Sequence, residues 1–304
     1  MVPEPGLEPV PGFTLTGRLG QGAFGDVWEA VGLGNRCVAL KFLDCRKRPA
    51  SMVSAEIRLL RELSSLKHPN IITLHGVHCW GQYVVLNMER ADTNLNDLLH
   101  THREQHGTNL PVDQVLDYMT QAAAALDFIA GWRHSSLTGS QGMQHCDVKP
   151  TNLLLVGPVL KLADFGLCAG TGWQTHRGGC RGTPPYAAPE LYRGTASPTT
   201  DQFSLAVTFC ELVFGDSVFV RRSPADTPAL GMPVELSKLG EKEYPILSRA
   251  MHPFPSSRYS SCKLFIDELR RAMATPLPAP RFIPRSLGSV SRPIVNPHGS
   301  TKTK

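Results

Sequence analysis

Within six residues the chain carries an acid, a lysine and an amide, Asp147, Lys149 and Asn152, in the stretch Met143-Gln-His-Cys-Asp-Val-Lys-Pro-Thr-Asn-Leu-Leu-Leu155. Nine residues after Asn152, Lys161 opens Lys-Leu-Ala-Asp-Phe-Gly, which supplies a second carboxylate, Asp164. A carboxylate can accept a hydroxyl proton and a lysine can meet phosphate. An amide with a second carboxylate can hold a divalent metal, and together these groups suit phosphoryl transfer. The apolar residues after Asn152 predict a strand that pins this loop.

Such groups need a scaffold that brings nucleotide to them. Phe13, Leu15 and Leu19 suggest a strand leading into Gly20-Gln-Gly22-Ala-Phe-Gly25-Asp-Val27. Gly-x-Gly-x-x-Gly alone is a weak signal, because dinucleotide-binding folds use it between a strand and a helix. Here Val27, Glu29 and Val31 alternate with Trp28 and Ala30, which is strand periodicity. Gly32-Leu-Gly-Asn35 then turns the chain, and Cys37-Val-Ala-Leu-Lys41-Phe-Leu reads as a further strand. Glycines at the turn let backbone N–H groups approach phosphate without Cβ interference. The plain alternative is a glycine-rich hairpin without chemistry.

Lys41 ends its strand among apolar residues, and a buried lysine needs an anionic partner. Ala50 to Leu66 has Ile57, Leu60, Leu63 and Leu66 on one helical face. Glu56 lies just before that stripe and is the preferred partner, with Glu62 as the competitor.

Asp-x-x-x-x-Asn followed by Asp-Phe-Gly, after a glycine loop and Val-Ala-Leu-Lys, resembles the protein kinases. A lysine two residues after Asp147, and Gly182-Thr183-Pro-Pro-Tyr186-Ala-Ala-Pro-Glu190 downstream, resemble the eukaryotic-like serine/threonine members. The wording around Asn152 and Asp164 is most similar to bacterial ones. The resemblance spans Phe13 to about Met273. It implies an α+β, two-lobed fold: a small antiparallel sheet with one helix (13–88), a hinge (89–93) and a larger, mainly helical lobe (94–273). ATP and Mg²⁺ are the cofactors it implies, and protein Ser/Thr hydroxyls the acceptors.

The resemblance also implies roles. Asp147 would orient the acceptor hydroxyl, Lys149 would stabilise the transferring group, and Asn152 and Asp164 would hold Mg²⁺. Lys41, paired with Glu56, would align the nucleotide phosphates under Gly20, Gly22 and Gly25. Adenine would lie among Leu19, Val27, Ala39, Met88 and Leu154, with backbone groups of Glu89 to Ala91 beside it; Met88 taken alone could equally be a core methionine. His145 would pack under Phe165, Thr183 would bond the loop around Asp147 and Lys149, Glu190 would pair with Arg258, and Asp201 would bond the catalytic-loop backbone. Thr171 and Thr175 are candidate autophosphorylation sites.

The chain departs from the family at Cys146, where most relatives have an arginine that receives an activation-segment phosphate. The expectation is a kinase of the type lacking that arginine. The rival is a pseudokinase or nucleotide-binding scaffold; a small-molecule phosphotransferase is disfavoured by the Gly-Thr…Ala-Pro-Glu stretch.

Composition bounds the rest. Of 304 residues, 41% are apolar, and net charge is +5. Five basic residues and no acid lie from Thr275 onward, so the remainder is formally neutral and nucleic-acid binding is not expected of it. No apolar run suits a membrane span. The eight cysteines include no Cys-x-x-Cys pair, and the start has no export signal. Free thiols and a cytoplasmic location follow as expectations. Residues 1–12 read as a flexible lead-in, 133–142 as a polar surface insertion, and 274–304 as a disordered basic, Pro/Ser-rich tail of unassigned partner.

Overall fold

The computed structural model describes residues 2–22, 25–46, 50–65, 67–132, 142–170, 182–215 and 239–274. The expectations for the insertion, for Thr171 and Thr175, and for the tail fall on residues outside these, apart from Gly142 and Ala274 at their edges.

Alternating apolar residues become strands wherever each face has something to pack against. Five strands form one antiparallel sheet in the order β1-β2-β3-β5-β4: β1 Phe13–Gly22, β2 Gly25–Gly32, β3 Arg36–Asp44, β4 Leu74–Trp80 and β5 Tyr83–Glu89. Register fixes the faces. Val27 pairs with Lys41 and Lys41 with Leu86; Glu29 pairs with Ala39 and Ala39 with Met88. Directly opposed residues point the same way, so Val27, Glu29, Ala39, Lys41, Leu86 and Met88 share one face. Trp28, Ala30, Val38, Leu40, Phe42 and Val85 occupy the other and form a buried cluster. Helix α1, Ala50–Leu63, lies beside this sheet with Leu60 and Leu63 buried.

The lead-in departs from expectation. Gly6 N–H donates to Leu15 O, Leu15 N–H donates to Leu7 O, and Val10 is 2% exposed in the cluster of Trp28 and Phe42. Residues 6–12 are therefore a strap across the outer face of the sheet. An isolated valine among prolines shows no periodicity, but an apolar sheet face needs a cover.

The second lobe is helical. Short β6, Thr93–Asn94, leads into α2, Leu95–His106. Its polar last turns have no apolar stripe, and a left-handed Gly107 ends it. The long α3, Val112–Gly131, runs through the core with Val115, Met119, Ala122, Ala123, Leu126 and Ile129 at 1% exposure or less. β7 (Met143–Gln144), β8 (Leu153–Val156), β9 (Val159–Leu162) and β10 (Ala169–Gly170) frame the chemical residues. Among the described residues the remaining α-helices are α4 Pro189–Tyr192, the buried α5 Thr200–Phe214, α6 Glu243–Ala250 and α7 Cys262–Ala274. Asp127 of α3 caps α7 by accepting from Cys262 N and Lys263 N at 2.8 and 2.9 Å. Among the described residues no helix is long and apolar enough to cross a membrane.

Candidate active site

Asp147 follows β7 in a loop closed by β8, and it is 3% exposed. A carboxylate so deep must be met by donors. Thr183 N–H donates to its Oδ1 at 3.0 Å and Thr183 Oγ1 at 2.7 Å. Asn152 Nδ2 donates to Oδ2 at 2.9 Å and to the Asp147 carbonyl at 2.8 Å. Lys149 Nζ lies 2.8 Å from Oδ2 and donates to Thr183 Oγ1 at 2.6 Å. Burial raises the Asp147 carboxyl, but the bonds from Lys149 and Thr183 and the nearby positive charge outweigh it and hold the group below its usual 3.8. Asp147 is thus an oriented, ionised carboxylate.

The loop is set from beneath. Asp201, the second residue of α5, accepts His145 N–H at 2.6 Å and Cys146 N–H at 2.8 Å. Full burial pushes the Asp201 carboxyl up, against the pull of His145 and the two N–H donors. These bonds hold Cys146 at φ 65°, a left-handed conformation costly for a side-chain-bearing residue. His145 Nε2 is 2.9 Å from Ala163 O, and its ring meets Phe165 edge-on at 5.1 Å. Gly182, at φ 103°, brings the Thr183 segment against this loop; a Cβ there would stand 2.5 Å from Cys146 O.

Asp164 follows β9 at φ 68°, and its Oδ1 lies 2.7 Å from Lys41 Nζ. Lys41 is 9% exposed, so the expected burial and need for an anion both hold, with Asp164 as a partner. Glu56 lies in α1, but its side chain is outside the described residues, and so is the expected Lys41–Glu56 pair. The residues fit a hard cation chemically. The Asn152 amide nitrogen is committed to Asp147, which leaves its oxygen, with the Asp164 carboxylate, as oxygen donors of the kind Mg²⁺ prefers.

Roof and floor follow from register. Gly20 pairs with Val27 and Gly22 with Gly25, so the glycines close the β1–β2 hairpin. A Cβ at Gly25, φ 130°, would stand 1.8 Å from Phe42 O, which excludes any other residue. Ala39 is buried opposite Met88, whereas Leu19 is 47% exposed at an irregularity in β1. Leu154 pairs with Asn94 and with Lys161. Glu89 accepts Thr73 N–H at 2.6 Å and Lys161 Nζ at 3.1 Å. Although burial opposes it, these bonds keep the Glu89 carboxyl below its usual 4.5. Ala91 lies between β5 and β6 in the connecting segment.

Further out, Arg258 Nη1 and Nη2 clasp Glu190 Oε1 and Oε2 at 2.7 and 2.8 Å, both side chains nearly sealed from solvent. Sequence reasoning missed several partners. Tyr186 OH donates to Glu211 Oε2 at 2.6 Å, and buried Gln144 Oε1 accepts Asp201 N–H. Lys161, which opens the Lys-Leu-Ala-Asp-Phe-Gly motif, is also the partner of Glu89. No spacing signal joins these pairs.

A family model described as "Protein kinase domain" matches residues 13–273. Serine/threonine-protein kinase ULK3 of Mus musculus is 32% identical over 233 residues, which cover 73% of this chain and 45% of the relative. Serine/threonine-protein kinase PknF of Mycobacterium tuberculosis is 30% identical over 287 residues, covering 85% of this chain and 56% of the relative. The chain thus spans about half the length of these relatives. The crystal structure of the Mycobacterium tuberculosis PknI kinase domain superposes with a TM-score of 0.65 at 26% identity, covering 88% of this chain and 99% of that one.

Proposed function

The chain belongs to the protein kinase family, and we propose that it transfers the γ-phosphoryl group of ATP to Ser or Thr hydroxyls of proteins. The observation that carries the reading is the closed network of Asp147, Lys149, Asn152 and Thr183. Its members come from two segments of chain, and a structural role alone would not need three polar side chains around one buried carboxylate.

In this reading the acceptor hydroxyl faces Asp147, whose carboxylate orients it for in-line attack. The new bond forms between the acceptor oxygen and the γ-phosphorus as the β–γ bridging bond breaks, and the hydroxyl proton passes to Asp147. The depressed pKa makes Asp147 a weak base, so its main part is orientation, with proton transfer late. Lys149 supports the charge on the transferring group, and Lys41 the nucleotide phosphates. Asp164 and the Asn152 amide oxygen would hold Mg²⁺, which when bound neutralises phosphate charge. The cytoplasmic location and protein substrates belong to the same proposal.

Cys146 adds a second element. It is 1% exposed, with its N–H on Asp201, and position 146 offers no guanidinium to an activation-segment phosphate. Activity therefore does not depend on phosphorylation read at this position. Mass spectrometry before and after phosphatase treatment tests this: a large loss of activity on dephosphorylation would sink it.

Incorporation of labelled phosphate from ATP and Mg²⁺ into the protein and a generic basic substrate tests the main reading. Transfer to Ser or Thr by the native protein, lost in Asp147→Asn, is the expected result. Nucleotide binding without transfer would favour the scaffold alternative instead.

A further inference from the structure

Glu29 stands on the nucleotide-facing side of β2, two residues from Val27 and in register with Ala39. Its carboxylate is doubly bound. Arg90 Nε donates to Oε2, and Thr16 Oγ1 donates to Oε1 at 3.1 Å. Arg90 lies in the segment joining the lobes, between Glu89 and Ala91, whose backbone would meet adenine. Arg90 Nη1 also lies 3.8 Å from Asp92 Oδ1. Asp92 in turn is tied to the floor: its Oδ2 accepts Gly157 N–H at 2.8 Å, and its N–H donates to Leu155 O at 2.8 Å, next to Leu154. A chain of polar contacts therefore runs from the strand above the nucleotide position, through the connecting segment, to β8 below it.

The segment is already anchored at Glu89, by Thr73 and Lys161. Those bonds lead to Thr73, just before β4, and to β9. The bond to Glu29 leads to the strand that carries Val27 and rises from the glycine hairpin. With side chains 35% and 26% exposed, Arg90 and Glu29 form a half-buried pair, and such a pair retains its attraction better than a solvated one.

We propose that the Glu29–Arg90 pair is a positioning element that sets the aperture of the nucleotide site at its hinge edge, governing nucleotide affinity and release and not the transfer step. The inference rests on the kinase reading. Neither side chain belongs to the network around Asp147, so loosening the pair changes how firmly nucleotide is gripped while leaving the reacting groups in register.

The test uses the full chain with MgATP as substrate and MgADP as titrant, comparing native protein, Glu29→Gln, Arg90→Met and the exchange Glu29→Arg with Arg90→Glu. Each single variant should raise the MgADP Kd and the KM for ATP about fivefold, the factor equivalent to the ~1 kcal/mol of a well-formed partly exposed pair. It should leave kcat within about twofold. Raising salt should shrink the difference, and the exchanged pair should regain most of the affinity. Unchanged Kd in Glu29→Gln, or a loss confined to kcat and to the melting temperature without nucleotide, overturns the inference alone. Native protein that binds no nucleotide overturns the kinase reading and the inference with it.

Discussion

Thr183 holds Asp147 by two bonds to one oxygen, from its N–H at 3.0 Å and its hydroxyl at 2.7 Å, across 36 residues of chain. The same hydroxyl accepts from Lys149 at 2.6 Å. One side chain thus fixes the position of the acid and the lysine together. Loss of the hydroxyl should misplace both groups. Thr183→Ala should lower kcat about 100-fold, whereas Thr183→Ser, which keeps the hydroxyl, should retain most activity. Nucleotide Kd should change little in either. Equal kcat for the alanine variant and native protein would contradict the arrangement.

Asp201 uses both carboxylate oxygens on backbone N–H groups of His145 and Cys146. Asparagine keeps one acceptor oxygen and turns its NH₂ toward the other N–H. One buried donor then goes unmet, at about 1–3 kcal/mol. Asp201→Asn should show that loss in denaturant unfolding. It should also lower kcat, because the released backbone carries Asp147. The expected loss of stability with native kcat would show that the loop is held elsewhere.

Much of this is legible in the sequence. Asp147, Lys149, Asn152 and Asp164 fall within 18 residues, and chemistry confined to a short stretch survives as a readable pattern. Sheet faces were readable too, because alternation has a period of two whatever the partner. The contacts of Thr183, Asp201 and Glu190 were readable only through the family resemblance, since nothing local to them names a partner. What stayed hidden joins remote positions singly. Glu29 and Arg90 are 61 residues apart, and Asp127 meets the start of α7 after 135. Val10 is one apolar residue among prolines, and burial of a lone side chain leaves no periodicity.

Glu190 and Arg258 offer a pH test. Burial raises the Glu190 carboxyl, but the Arg258 bonds outweigh it, and its pKa lies below the usual 4.5. A depressed acid contributes stability that is complete above its unfolded value and is lost as pH falls through the folded one. Asp147 has the same sign. The stability contributed by these two carboxyls should therefore be complete from neutral pH down to about 4.5 and be lost below it. Glu190→Ala leaves the Arg258 guanidinium buried and unpaired, so it should cost about 3–5 kcal/mol at neutral pH and flatten the acid limb. A variant whose acid limb matches the native one would assign that limb to other carboxylates.

Asp127→Ala removes the acceptor of two N–H groups at the start of α7. A lost cap of this kind costs about 1 kcal/mol. Hydrogen exchange should localise the effect to the first turn of α7, with phosphoryl transfer unchanged. Protection unchanged at Cys262 and Lys263 would mean that water replaces the carboxylate without penalty.

The strap of residues 6–12 moves the start of the smallest fragment worth expressing. The family pattern begins at Phe13, yet a fragment cut there would bare the face carrying Trp28, Leu40, Phe42 and Val85 and lose the bonds to both backbone ends of Leu15. A boundary drawn from shared ancestry and one drawn from what must be covered differ here by several residues. The second decides whether a truncated chain stays in solution or sticks to its neighbours.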